Sequence, residues 1–404
     1  MLASVAGTDD RGAVDKEHRL RLMILADAAS AHTVRWVQAL AGRGHEILLF
    51  TLMPPPAEVY EDLTNVSVVW PGIGADIARI SEGALGKLRY LRALPLLLAQ
   101  ARCWKPDLVH AHYASSYGLL ATLARVRPRI VSVWGMDVFS FPRRSDLHRR
   151  LMRWVLGSAD AVLSTSHVMR ERVYELVDRS VVVTPFGIDT HRFCPPSVPR
   201  SPDCLCVGTV KALEEKYGID YLLRAFAIVL QKGVHPVGYR LLIVGGGSCR
   251  DQLERLAMDL GIIDKVQFIG ACVYADVHLW HQALDVAVYP SIDPSESFGV
   301  AAVESQSCGV PVVVSRIGGL PEVVVDKVTG TVVAPRDADA LAAAILEILD
   351  DPALRRRMGE SGRRHVVDVY SIETCVEVME KVYAGAVARG AGKPASATHG
   401  DRIG

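Results

Sequence analysis

Short apolar runs of β character alternate with amphipathic helical runs along nearly the whole chain, and the alternation is interrupted once, by a proline-rich segment. That pattern limits the chain to parallel sheets flanked by helices, because each return to a parallel neighbour needs a crossover of helical length. In the first half, strands are predicted at 21–26, 46–52, 66–70, 107–110, 130–133, 161–164 and 181–184. Helices are predicted between them at 32–43, 88–102, 118–126, 147–156 and 168–177. The interruption, 185–202, holds five prolines in eighteen residues and reads as a linker. Beyond it, strands at 205–208, 239–244, 265–269, 286–289 and 312–314 alternate with helices at 221–231, 250–260, 275–283, 299–307 and 338–349. A chain of 404 residues exceeds what one hydrophobic core usually supports. The expectation is α/β: two doubly wound parallel-sheet domains, 19–184 and 203–371, facing each other across a cleft. Open sheets of this kind bind ligands at the C-terminal ends of their strands, so the cleft is the expected site.

Bulk properties exclude several alternatives. Half of the residues are hydrophobic and the formal charge is zero, an ordinary globular composition. The charge is unevenly spread: residues 1–200 hold 25 Lys and Arg against 19 Asp and Glu, and 79–153 alone hold 14 against 4. Arg143 and Arg144 belong to this basic stretch, where Arg alternates with Leu, Met and Trp. Such a surface suits an anionic membrane or a phosphorylated acceptor. No nucleic-acid-reading module is evident. The eight cysteines are scattered without zinc-site spacing, which fits a reducing cytoplasm. No apolar run approaches the roughly 20 residues of a membrane span. The polar segment 1–18 is expected to be a disordered leader rather than a signal peptide, and 388–404 a disordered tail.

Two glutamates eight residues apart, Glu296 and Glu304, carry the functional signal. Glu296 falls just before a predicted helix N-terminus and Glu304 inside that helix, a separation of roughly 12 Å if helical. Glycosidase carboxylates stand about 5 to 9.5 Å apart. The wider pair suits a ligand with hydroxyl groups at both ends and an anion between them, facing backbone N–H groups and the positive helix end. A nucleoside-diphosphate sugar has that form. Lys211 and Lys216, after the strand ending at Gly208, are placed to neutralise a diphosphate, and Gly208 itself is expected to face the donor. Gly245 and Gly246 end the next strand, where backbone can approach a phosphate or sugar. From the other domain, His112 at a strand end, with His110 on the same face, points at the cleft. The loops carrying His32 and Asp137 open there as well.

On these motifs the chain resembles the family 4 retaining glycosyltransferases of GT-B architecture. Lys211 and Lys216 match the family's paired cations, Glu296 and Glu304 its E-x7-E signature, and 187–193 its domain junction. The resemblance implies Rossmann-like domains and a final helix, 372–384, crossing back to the first domain. It also places Glu296 and His112 at the donor sugar, Glu304 at the ribose, and the backbone N–H groups around Phe298, Gly299 and Val300 at the diphosphate. Three departures stand out: Lys211 in place of the more frequent Arg, Ser297 in place of Gly, and Asp27 to His32 in place of a Gly-Gly loop. The implied reaction is transfer of a sugar, with retention, from a UDP- or GDP-sugar to a saccharide or lipid-linked acceptor in bacterial polysaccharide or glycolipid synthesis. No cofactor is expected, and without a D-x-D motif no metal. The expected location is cytoplasmic, at the inner face of the plasma membrane. Two rivals remain, a nucleotide-sugar epimerase and a non-catalytic nucleotide-sugar-binding subunit.

Overall fold

The computed structural model describes residues 19–56, 58–73, 85–198, 204–233 and 235–390. The predicted leader 1–18, the tail from 391, Arg79 and the side chain of Lys87 lie outside the described residues. Two separate parallel sheets form. The first contains β1 (Arg21–Leu25), β2 (Glu46–Phe50), β3 (Val66–Val69), β4 (Leu108–His112), β5 (Arg129–Val133), β6 (Ala161–Ser164) and β7 (Val181–Val183), in the order β3-β2-β1-β4-β5-β6-β7. The second contains β8 (Leu205–Val210), β9 (Tyr239–Val244), β10 (Val266–Gly270), β11 (Val286–Tyr289), β12 (Val312–Ser315) and β13 (Gly330–Val333), in the order β10-β9-β8-β11-β12-β13. Each order reverses beside its first strand. Leu22 is in register with both Ile47 and Leu108, and Gly208 with Leu242, with Ala287 on its other side. Both sheets are therefore doubly wound, and both switch points open toward one cleft. The central strands are buried on both faces, as their near-continuous apolar runs require.

Several elements differ from expectation. The helix predicted at 88–102 divides into a 3-10 segment, Leu85–Ala93, and an α-helix, Leu94–Trp104, because Pro95 sits in the first turn of the latter. The helix predicted at 118–126 begins as a π turn, Ala114–Gly118, before Leu119–Ala124. β4 runs on to His112. Helix Pro352–His365 escaped sequence reading, for a physical reason. Its contact is made by small residues: a Cβ on Gly359 would lie 2.1 Å from the Gly309 carbonyl oxygen, so no apolar period marks it.

The chain crosses between the domains twice, side by side, with Ile188 bridged to Ser371. After the second crossing, helix Ile372–Gly390 buries Cys375, Val376, Met379, Tyr383 and Ala386 against Leu22, Ile24, Trp36 and Leu40 of the first domain. It runs past the predicted end at 384 and through the first residues assigned to the tail. Tyr383 Oη lies 2.8 Å from His110 Nδ1, while His110 Nε2 meets Ser132 Oγ at 2.7 Å. His110 is thus a satisfied core residue.

Candidate active site

The second domain brings its charged residues together through glycine-dependent contacts. The loop after β8 carries Lys211, whose N–H donates to the Val244 carbonyl, and Leu213, whose N–H donates to that of Gly246. A Cβ on Gly245, at φ 144°, would lie 1.9 Å from the Lys211 carbonyl oxygen. Gly245 therefore serves to seat the lysine loop. Gly208 has a similar role inside β8, where a Cβ would lie 2.6 Å from both the Leu242 carbonyl oxygen and a Leu284 methyl. This corrects the expectation that Gly208 faces a ligand: its missing side chain makes room for protein. Gly246 has Ala271 as its nearest neighbour, 3.4 Å from an added Cβ.

Lys216 lies in the turn Glu215–Tyr217, and its carbonyl accepts the Ile292 N–H at 2.9 Å, binding this turn to the loop that leads to Glu296. On the other side, the Gly319 N–H donates to the Glu296 carbonyl, and a Cβ on Gly318 would lie 2.0 Å from that oxygen. Lys211 Nζ and Glu296 Oε2 are 2.7 Å apart, and the Lys211 and Lys216 ammonium groups stand 4.4 and 4.9 Å from the centre of the Tyr217 ring. Burial disfavours the Lys211 cation, but the Glu296 carboxylate beside it outweighs that and raises its pKa. Both ammonium groups therefore lie on the Tyr217 ring, and that of Lys211 pairs with Glu296. Gly299, at φ 90°, precedes helix Val300–Ser307, while the Phe298 ring is buried against Phe186 and Tyr370.

Glu304 is nearly inaccessible and heavily partnered. Arg35, from the first-domain helix Ala31–Gly42, lies 3.6 Å from it; Tyr274 donates to it at 3.3 Å; His281 Nε2 is at 3.5 Å. Arg35 also donates to Tyr274 and to the Gly187 carbonyl of the linker. Burial would raise the Glu304 pKa, yet His281 and Arg35 hold it below the ordinary carboxylate range. A second bond joins the domains: Glu322 accepts the His167 and Val168 N–H groups at 2.7 and 2.6 Å, at the start of helix His167–Tyr174.

The facing wall is aromatic. His32 stacks on Phe186 at 4.0 Å and meets Trp134 edge-on at 5.9 Å, and His112 lies 4.9 Å from Trp134. The Trp134 carbonyl accepts the Ser297 hydroxyl at 3.2 Å, which joins this wall to the residue after Glu296. Burial, reinforced by Arg35, lowers the His32 pKa to about 4; burial and His32 lower that of His112 to about 3. Both rings are neutral near pH 7, with Nδ1 atoms that have no partner among the described residues. Asp137 is corrected: its carboxylate is fully buried and accepts the N–H groups of Ala114, Trp134 and Gly135, so it shapes the loop and does not face the cleft. Arg143 and Arg144 are exposed; Arg143 is near enough to Asp293 to help depress its pKa, after the Ser295 hydrogen bonds and Lys216. Arg35, Tyr274 and His281 were not singled out in the sequence. Arg35 gave the clearest signal, an arginine within the apolar stripe of its helix. Among the described residues, no group of three or more His, Cys, Asp and Glu side chains is disposed to hold a metal ion.

Two facing doubly wound domains, with two lysines and two glutamates gathered on the second domain's side of the cleft, have the form of a sugar-transferring protein, and comparison agrees. The profile described as glycosyl transferases group 1 matches residues 197–365, and that described as glycosyl transferase 4-like matches 21–166. A D-inositol 3-phosphate glycosyltransferase of Actinosynnema mirum is 31% identical over 378 residues, covering 84% of this chain and 88% of that protein. Glycogen synthase of Mycobacterium tuberculosis is 28% identical over 382 residues, covering 86% and 88%. Among solved structures, sucrose-phosphate synthase of Thermosynechococcus elongatus has a TM-score of 0.75 at 24% identity, covering 92% of this chain and 100% of its own. Anabaena HepE, solved with UDP, has a TM-score of 0.73 at 18% identity, covering 90% and 100%. The chain belongs to the group 1, glycosyl transferase 4-like family and has the GT-B fold. It is a glycosyltransferase, and the epimerase and binding-subunit alternatives are not favoured.

Proposed function

We propose that the chain transfers a sugar from a UDP- or GDP-sugar to an acceptor hydroxyl, with retention of configuration and without a metal ion. The observation that carries this reading is the Lys211–Glu296 ion pair, with Lys216 on the same Tyr217 ring, in the loops that lead into helix Val300–Ser307. A departing diphosphate gains negative charge in the transition state, and two ammonium groups with a helix N-terminus stabilise that charge where water is excluded. Glu296 holds Lys211 and meets the sugar hydroxyls; Glu304 meets the ribose. His112, neutral at pH 7, offers a hydrogen bond to the sugar rather than a charge. No protein nucleophile is assigned. In this reading the leaving phosphate takes the acceptor proton, and closure of the domains limits loss of donor to water.

The test is calorimetric titration of UDP and GDP, with EDTA present, into wild type and Lys216→Ala. One nucleotide is expected to bind, and the variant to weaken it at least about tenfold, as loss of a charge-assisted contact implies. A product carrying the donor's anomeric configuration, read from its NMR coupling constant, would establish retention. Absence of nucleotide binding by wild type would refute the donor site.

The acceptor reading includes a lipid-linked saccharide at an anionic membrane, with the protein cytoplasmic and acting in polysaccharide or glycolipid synthesis. Its support is helix Asp146–Ser158, which buries Met152, Val155 and Leu156 and leaves Leu147 and Trp154 exposed among Arg149, Arg150 and Arg153. Among the described residues, no helix is long and apolar enough to cross a membrane. Retention on phosphatidylglycerol vesicles at low salt, lost at high salt, is the expected result; no retention at low salt would refute it.

A further inference from the structure

A chain of buried polar groups lies behind Glu304, on the side away from the first domain's Arg35. His281, in helix Val277–Gln282, is fully buried, and its ring meets that of Phe193 at 5.9 Å. Its Nδ1 lies 2.8 Å from Ser305 Oγ, which in turn lies 2.7 Å from Tyr289 Oη at the end of β11. Its Nε2 faces Glu304 Oε2 at 3.5 Å. Glu304 and Ser305 are neighbours on helix Val300–Ser307, so one ring addresses two successive residues of that helix.

The polarity of the chain follows from its ends. Glu304 is held as a carboxylate and can only accept. Tyr289 is buried, which pushes its phenol well above its ordinary range and keeps the O–H. A neutral imidazole donates from one nitrogen and accepts at the other. Nε2 must donate, because a lone pair there would face the carboxylate. Nδ1 then accepts from the Ser305 hydroxyl, and Ser305 Oγ accepts from Tyr289. The result is one continuous direction, Tyr289 to Ser305 to His281 to Glu304, in which each bond polarises the next.

His281 also differs from the other partners of Glu304. Arg35 and Tyr274 both approach Oε1, at 3.6 and 3.3 Å, and of the three His281 alone approaches Oε2. Arg35 comes from the other domain and Tyr274 is partly exposed, whereas His281 is buried in the domain that carries Glu304. Its Nε2 has no hydrogen-bond partner of good geometry among the described residues, and 3.5 Å exceeds the usual N–H···O length. Leaving a buried N–H unmade is costly, so the ring draws Oε2 toward itself and limits rotation of the carboxylate. A carboxylate that accepts from two adjacent hydroxyls needs both oxygens directed, and such a site strongly rejects an analogue that lacks the hydroxyls.

We propose that His281 is a positioning residue that, with Ser305 and Tyr289 behind it, orients Glu304 toward the ribose hydroxyls of the donor and so sets the preference for a ribonucleotide over a deoxynucleotide. The proposal rests on the placing of Glu304 at the ribose given above and adds the residues that make this contact selective.

The test is calorimetry on the full chain with UDP and GDP, each against its 2′,3′-dideoxy form. The readout is the ratio of the two affinities for whichever base binds. Wild type is expected to prefer the ribonucleotide at least about thirtyfold, as loss of two hydrogen bonds to a charged group implies. In His281→Phe the ratio is expected to fall to about threefold or less, with the dideoxy affinity unchanged to within about twofold. His281→Gln, which keeps an N–H donor for Glu304, is expected to restore at least about tenfold, and Ser305→Ala to lower the wild-type ratio at least about threefold. Thermal unfolding checks the fold of each variant. The proposal is overturned if folded His281→Phe keeps the wild-type ratio, including by losing both affinities in parallel, which would mark a purely structural role. Where His281→Phe does not fold, a wild-type ratio in folded Ser305→Ala overturns it. Nucleotide binding by wild type with no ribose preference would instead refute the place of Glu304 at the ribose, and the role of His281 with it.

Discussion

Three histidines lie near one another, His110 and His112 buried and His32 half-buried, and each has its pKa lowered, with desolvation the largest cause. In the unfolded chain they titrate near 6.5, whereas folded His32 and His112 do so at about 4 and about 3. Between those limits the unfolded state binds more protons, so stability is fully present above pH 6.5 and falls as pH drops toward 4. His32 alone accounts for a loss on the order of 3 kcal/mol across that window. Urea unfolding at pH 7.0 and 4.8 is expected to show a clear drop, and a flat profile would contradict the burial of these rings. Arg35 and Glu304 supply a second prediction. Removing one partner leaves a buried charge, so Glu304→Ala is expected to destabilise by about 3–5 kcal/mol. Glu304→Ala combined with Arg35→Met should cost less than the sum of the two single changes. Additive costs in a double-mutant cycle would show that the pair is not coupled.

Among the elements, glycines and caps hold the charged groups in position. Gly318→Ala would drive a Cβ into the Glu296 carbonyl, 2.0 Å away, at a φ of 54° that itself disfavours a side chain. The loop carrying Glu296 must then shift, and displacement of a catalytic group by about 1 Å can cost 10²-fold in rate. Turnover is expected to fall at least about tenfold; unchanged turnover would show that the loop is not constrained there. Glu322→Ala removes an interdomain helix cap and is expected to lower stability by about 1 kcal/mol in urea unfolding. The sequence showed these elements unevenly. Strands β8, β9, β11 and β12 were legible because they are continuous apolar runs bounded by turns. Helix Pro352–His365 was not, since Gly359 and Gly362 make its contacts. β13 offers only four residues of pattern.

For the molecule as a whole, the doubly wound architecture was readable because strand and helix periods alternate over the entire chain. The candidate donor residues stood out because Lys211 and Lys216 follow the end of β8, and Glu296 and Glu304 the end of β11, two short motifs each local in sequence. What joins the two domains was not. Arg35 pairs with Glu304 over 269 positions and Glu322 caps His167 over 155, and no local period signals contacts of that range. Asp137 misled for a related reason: a loop aspartate at a strand end looks like a ligand group until three N–H groups are seen to occupy it. The account depends on the donor site, and donor turnover tests it most directly. A panel of UDP-, GDP- and ADP-sugars, incubated with the protein and EDTA, is followed for release of nucleoside diphosphate. The account predicts slow turnover of one UDP- or GDP-sugar, reduced about 10²-fold or more in Lys211→Ala and Glu296→Gln. Turnover that survives in both variants, or no turnover of any donor in the presence of neutral glycoside acceptors, would contradict it.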